Sequence, residues 1–310
     1  MNKKFVMIGA GVVAGSVLLM SSVYAGIGTT PGYDTYKSAI KNTASTVDNA
    51  TQKINLSVED NGKVLLQVNS TLKSGNNDQS SSANIALLSG QTEQSIQIFN
   101  QDDKAIIKMG NSEVYQVVEK SDEEKGSGDE GREHRKLEDP AFAQEMENVI
   151  DALVGNLKNK VTLKDNGTAK EIGLHLEGSQ LPALVNTVGS LVIREGGREH
   201  SDKLQLDSGD TFGVNLQSIH DSLPKLTTDI RIQSVNLDAD VNANNLITNH
   251  TAEIQIIGKD NEGTNHQVFI KLSVDASDFN TTIPDTVDLK GKKVEKVQPF
   301  KEEGFKRWNK

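Results

Sequence analysis

The sequence predicts an α+β fold in which antiparallel sheet dominates, and three observations carry that reading. Apolar and polar residues alternate over short runs, the period-2 pattern of strands with one buried face. Tight-turn signals separate several of these runs, at Asp60-Asn61-Gly62, Asp165-Asn166-Gly167 and Asp260-Asn261-Glu262-Gly263. A few segments instead place apolar residues at i, i+3 and i+4, before and between two groups of strands. The count is roughly eleven strands and about four helices.

The chain of 310 residues opens with Met1-Asn2-Lys3-Lys4, an uncharged, mostly apolar run from Phe5 to Met20, and Ser21-Ser22-Val23-Tyr24-Ala25. Positive charge, apolar stretch and small residues in that order form a secretory signal cut before Gly26. The apolar run is shorter than the roughly 20 residues of a membrane span. Residues 1–25 therefore read as a cleaved signal, with a retained anchor as the alternative, and the protein is expected to work outside the cytoplasm. Membrane attachment is expected only through residues 1–25, if they stay uncleaved. Zero cysteines exclude a disulfide scaffold, a thiol nucleophile, thiolate metal ligands and lipid attachment at a lipobox cysteine. The formal net charge of −10 becomes −12 once Lys3 and Lys4 are removed. So acidic a chain is repelled by nucleic acid, and no nucleic-acid partner is expected.

Thr30-Pro31 starts a helix over roughly 32–45, because proline is tolerated at the first helical position. Tyr33, Tyr36, Ala39, Ile40 and Thr43 share one side of it. Ile54, Leu56 and Val58 then alternate with polar residues, and Val64, Leu66 and Val68 return after the Asn-Gly turn. Four strand-like runs follow, at Ala83–Leu88, Gln94–Phe99, Lys104–Met109 and Glu113–Val118, joined by short turns as in a meander with one buried and one wet face. Residues 119–138 read as a charged loop too polar to pack. Asp139-Pro140 opens an amphipathic helix carrying Phe142, Met146, Val149, Ile150, Leu153 and Leu157. Val161 and Leu163, then Ile172, Leu174 and Leu176, form a hairpin. An apolar helix over 179–193, a polar loop over 194–210 and a helix over roughly 214–223 come next. Ile230 and Ile232 share one parity while Val235, Leu237, Ala239 and Val241 share the other, which predicts a β-bulge near Gln233-Ser234. Ala252, Ile254 and Ile256, then Val268, Ile270, Leu272 and Val274, make the last hairpin. From Phe279 the chain is expected to lie along the surface or fray, with 291–310 as a charged tail.

Candidate chemistry is sparse. Ser-x-x-Lys occurs at Ser38–Lys41, Ser70–Lys73 and Ser222–Lys225, but without the companion motifs that acyl transfer requires. The six histidines are His134, His175, His200, His220, His250 and His266. His134 and His200 end two copies of Gly-Arg-Glu-His, whose arginines repel a cation. His175 lies on the polar parity of its strand. Asp238, Asp240, Asn242 and Asn244 imitate the opening of a calcium loop, yet Ala243 and Asn249 stand where Gly and Glu are needed. A hydrolase would need a clustered acid–base pair that no motif here supplies. No catalytic residue, metal site or cofactor is expected.

The element order, with Asp103-Lys104-Ala105-Ile106-Ile107-Lys108-Met109-Gly110-Asn111 followed by Val114-Tyr115, resembles the LolA/LppX-like lipoprotein-carrier fold of bacterial envelopes. Asp278-Phe279-Asn280-Thr281-Thr282-Ile283-Pro284 is similar to the last strand of that fold running into a proline-containing segment. The resemblance covers roughly residues 30–290 and implies a curved, incomplete β-barrel closed by helices, here a single domain over 26–290. It implies an apolar concave side that holds lipid. The candidate ligand-binding residues are Leu56, Leu66, Ile98 and Ile107 on that side, with Leu184 and Val188 on the covering helix. The expected function is that of a non-enzymatic envelope protein with a lipid or other apolar ligand. The alternative is an interaction module with a filled core and an envelope protein partner.

Overall fold

The computed structural model describes residues 30–75, 80–90, 92–110, 112–119, 155–181 and 223–297. The expected signal at 1–25, the loop at 194–210 and nearly all of the loop at 119–138 lie outside these residues. So do nearly all of the three helices expected at 139–157, 179–193 and 214–223, together with Leu184 and Val188.

Helix α1 spans Pro31–Thr46, with the proline in its first turn. Tyr33, Tyr36 and Ala39 are buried as the spacing requires. Gly32 allows the helix start to press on the chain ahead of the seventh strand, where an added Cβ would lie 2.7 Å from the carbonyl oxygen of Val161. The strands are β1 (Thr51–Asp60), β2 (Lys63–Ser74), β3 (Ser81–Ser89), β4 (Thr92–Gln101), β5 (Lys104–Met109), β6 (Val114–Glu119), β7 (Thr162–Asp165), β8 (Ala169–Glu177), β9 (Thr228–Asn242), β10 (Ile247–Lys259), β11 (Asn265–Ser277) and β12 (Lys293–Lys296). At the β1–β2 turn Asn61 and Gly62 have φ of 49° and 80°, the left-handed pair that an Asn-Gly hairpin supplies.

All twelve strands belong to one sheet in the order β12-β6-β5-β4-β3-β2-β1-β11-β10-β9-β8-β7. The sheet is curved and does not close. The two strand groups join where β1 pairs antiparallel with β11, from Thr51↔Ser277 to Asp60↔Val268. The predicted bulge is present: Gln255 faces Ser234 and Ile256 faces Ile232, so no β10 residue stands opposite Gln233 in the ladder. It keeps Ile232 and Val235 on the same face despite their opposite parity.

The strand count needs correction. Among the described residues the strands number twelve, against roughly eleven expected, because Lys293–Lys296, read as part of a charged tail, pairs parallel with β6. Its single apolar residue leaves no period-2 signal. The strand forms because the outer edge of β6 offers unpaired backbone groups. The described residues hold one α-helix, Pro31–Thr46, with short 3-10 turns at Gly155–Lys160 and Gly178–Gln180, while the other three of the roughly four expected helices fall almost wholly outside them.

The meander was also expected to have one wet face throughout. On β4–β6, however, Phe99, Ile106 and Val117 are buried on the polar side of the sheet, packed with Tyr115, Val287 and Leu289. The cover is the extended segment 278–292. Lys73 Nζ meets Asp285 Oδ1 at 2.6 Å, and Asp285 N donates to Ser82 Oγ at 2.9 Å. Gln101 reads the backbone of Val287 in both directions, its Nε2 donating at 2.9 Å and its Oε1 accepting at 2.8 Å.

Candidate functional site

The side chains on the other side of the sheet form one nearly continuous aliphatic face. Leu174, Leu237, Ala252, Leu272, Leu56, Val68 and Leu87 stand side by side on consecutive strands from β8 to β3. The next row along the strands runs through Leu176, Val235, Ile254, Ile270, Val58 and Leu66. Towards β5 the face continues through Ala83, Ile98 and Ile107. The register thus places four of the proposed ligand residues, Leu56, Leu66, Ile98 and Ile107, on one face. Leu66 and Ile107 are 8% and 3% exposed. Leu56 and Ile98 are half-buried.

Two clusters pin this face down. At the β7–β10 end, Tyr36 and Ala39 of α1 pack on Ile172, Leu174, Leu176, Leu237, Ala239 and Val241. Nearer the β10–β11 turn, Leu226 packs with Val58, Leu66, Ile256 and Val268. Ile254, Ile270 and Leu87 pack against the second cluster and are only half-buried, as are Leu56 and Leu272 beside them and Ile85 and Ile98 on the neighbouring strands.

Polar groups enter this face in two built arrangements. His250 shares the parity of Ala252, Ile254 and Ile256, which turns it inward, and its Nε2 meets Tyr36 Oη at 3.0 Å. Burial holds the His250 pKa down at about 4 and pushes the Tyr36 phenol well above its usual range. Both are neutral at pH 7, and the tautomer of the imidazole sets which of the two groups donates. The second arrangement lies at the rim, where His266 Nδ1 meets Asp60 Oδ2 at 2.8 Å and its Nε2 meets Asp260 Oδ2 at 3.3 Å. It ties the β10–β11 turn to the end of β1. Partial burial disfavours the charged form of His266, but the two carboxylates outweigh it and raise the pKa. The same period-2 parity that hides His250 would have flagged both histidines, since His266 also shares the parity of Val268 and Ile270.

These two histidines give opposite pH dependences. His250 titrates lower in the folded chain than its ordinary 6.5, so its contribution is full above about 6.5 and is lost as pH falls towards 4. His266 titrates higher when folded, so its contribution is full below about 6.5 and is lost as pH rises through the folded value. The expected result is that His266→Gln lowers the melting temperature more at about pH 6 than at about pH 9. Thermal melts of both chains across that range check it. A larger loss at the alkaline end would contradict the clamp.

The other sequence candidates resolve into structural roles. Ser70 faces the aliphatic side while Lys73, three residues on, reaches across the polar side to Asp285, so the two do not meet. Ser38 Oγ accepts from Asn245 Nδ2 at 3.1 Å. Asn242 Oδ1 accepts from the backbone of Asn244 and of Leu246, each at 3.0 Å, which makes the calcium-like run an ordinary turn. Asp238 Oδ1 meets exposed His175 at 2.8 Å. His134, His200, His220 and Ser222 lie outside the described residues. Among the described residues, no three His, Asp or Glu side chains converge as metal ligands, and no helix is long and apolar enough to cross a membrane.

The polar face carries an open trough over β8–β11, β1 and β2. Its floor is a row of short polar side chains, Asp238, Thr251, Ser273, Asn55 and Asn69, one from each strand from β9 to β2. A parallel row along one side runs from His175 through Asn236, Glu253, Lys271 and Ser57 to Gln67.

No family model and no curated protein matches the chain. Among solved structures, the chain is similar to a DUF1329 family protein from Desulfovibrio piger, with 9% identity, a TM-score of 0.20, and coverage of 83% of this chain and 96% of that one. It is also similar to a LolA superfamily protein from Nitrosomonas europaea, with 9% identity, a TM-score of 0.21, and coverage of 82% and 96%. Likeness at these scores carries no functional weight.

Proposed function

We propose that this chain is an exported, non-enzymatic protein that holds an acyl chain or similar apolar ligand on the aliphatic face of its sheet. The observation that carries this reading is the half-buried band of Leu56, Leu272, Ile254 and Ile270 on the aliphatic face, running from the edge of the second cluster towards the first. Burying apolar surface stabilises by about 25 cal/mol per Å², so a band left half-covered is where an apolar ligand gains most. The charge order of residues 1–25 supports export.

The test is organic extraction of the purified protein followed by mass spectrometry. A bound acyl lipid is expected, and Leu56→Asp is expected to lower its occupancy at least ~10-fold, because a carboxylate facing an acyl chain must be desolvated or protonated. Thermal melting of the variant separates lost binding from lost folding. Recovery of ligand-free protein that also takes up no added lipid would sink the reading. The filled-core alternative draws on Leu66 and Ile107, at 8% and 3% exposed. It predicts that outcome, together with a specific protein partner in crosslinking.

A further inference from the structure

We propose that the trough on the polar face binds a linear amino-sugar glycan. The site lies on the opposite side of the sheet from the aliphatic band and does not depend on the ligand proposed there. Its floor and flank present amides and hydroxyls, which both donate and accept hydrogen bonds, as sugar hydroxyls do. Little of that capacity is used internally. Among the described residues the bonds across these two rows are Asn55 Nδ2 to Ser273 Oγ at 3.1 Å and His175 Nε2 to Asp238 Oδ1 at 2.8 Å.

The rows run across the strands, so neighbouring positions repeat every ~4.8 Å, and β8 to β2 spans about 24 Å. That repeat is close to the length of one pyranose in an extended glycan, so each strand meets one sugar. An extended polypeptide advances only ~3.3 Å per residue and drifts out of step with the rows. Charge selects further. Glu177, Asp238 and Glu253 line the trough against one ammonium, Lys271, which Glu59 also holds at 3.3 Å. The local field therefore repels acidic polysaccharides and attracts protonated amino groups. Phe269, one pair of residues beyond the flank on β11, offers a ring at the margin for the apolar side of a sugar. It already sits 5.7 Å from Lys271 Nζ.

The experiment is calorimetric titration of the purified full chain with four probes: a β-1,4-linked glucosamine hexamer, its fully N-acetylated counterpart, an oligogalacturonate and a hexalysine peptide. The glucosamine hexamer is expected to bind most tightly, the acetylated form more weakly, and the oligogalacturonate not at all. The Asn55→Ala/Asn69→Ala double variant is expected to lose at least ~10-fold in affinity with an unchanged melting temperature, since both side chains are exposed. If that variant melts early, Asn236→Ala serves in its place with the same expectation. No heat with the glucosamine hexamer at millimolar concentration overturns the proposal. So does hexalysine binding as tightly as the glycan, which would make the trough a polypeptide or simple cation site, or an unchanged affinity in both variants. Lipid extraction from the same preparations reads the aliphatic face independently, so failure of one site is distinguishable from failure of the other.

Discussion

Replacing Tyr36 with alanine is expected to cost about 3–5 kcal/mol, the range for deleting a large buried aromatic. The side chain is 1% exposed and sits in the cluster that joins α1 to β8 and β9. Its removal opens a cavity and also leaves the half-buried His250 imidazole without its hydrogen-bond partner. Tyr36→Phe keeps the ring and removes only the hydroxyl, so about 1–2 kcal/mol is expected. Urea denaturation at pH 7 measures both, and a double-mutant cycle with His250→Ala isolates the pair. The phenylalanine variant carries a further signature. Once pH falls below about 4, His250 is charged and its Nε2–H can only donate to the phenol oxygen. This is a stronger, charge-assisted bond, so the difference between wild type and Tyr36→Phe should grow at acid pH. A constant difference from pH 7 to pH 3.5 would show that the hydroxyl matters through packing alone.

Ending the chain at Ile283 is expected to be comparably damaging. This truncation removes Asp285 with its Lys73 and Ser82 partners, the two-way bond between Gln101 and Val287, and the β12 edge strand. It also uncovers Phe99, Ile106 and Val117, which are 8%, 1% and 3% exposed in the intact fold. A contiguous apolar patch of this kind on an otherwise polar face invites association. The expected results are a destabilisation of about 2–4 kcal/mol, from area bookkeeping at about 25 cal/mol per Å², new binding of a hydrophobic dye, and concentration-dependent oligomers in sedimentation. Asp285→Ala alone removes one partly exposed ion pair and should cost no more than about 1 kcal/mol. A truncated chain as stable and monomeric as the full one would mean that the segment only rests on the sheet.

Much of the sheet was legible because its rules are local. Lys104–Met109 is a strand with the bounds its alternation and flanking turns predict. The phase change between Ile232 and Val235 located the bulge at Gln233 without any knowledge of the partner strand. The shared parity of Leu56 with Val58, and of Ile98 with Ile96, showed which side chains face together within each strand, and the register between strands brought those sides to one face. His250 was legible by the same rule, since its even parity with Ala252 points it inward, but its meaning depends on Tyr36, 214 positions away in sequence. The segment from 278 to 297 was the least legible. Its role arises from single side chains such as Asp285 and Gln101 that meet partners on β2–β5, and such pairings leave no period to detect.

The sequence by itself determined which residues alternate, where the chain turns back and that α1 has one apolar side, because backbone geometry imposes a period of 2 or 3.6 on any segment that buries one face. Only the tertiary structure decided that β1 pairs with β11, making two strand groups one sheet with one aliphatic face. It alone decided that the polar face of β4–β6 is closed by the chain's own C-terminal segment while the polar face of β8–β2 stays open as a trough. The reason is physical: an unpaired strand edge accepts any strand with complementary backbone groups, so the partner is chosen by the packing of the whole sheet and not by the residues of either strand.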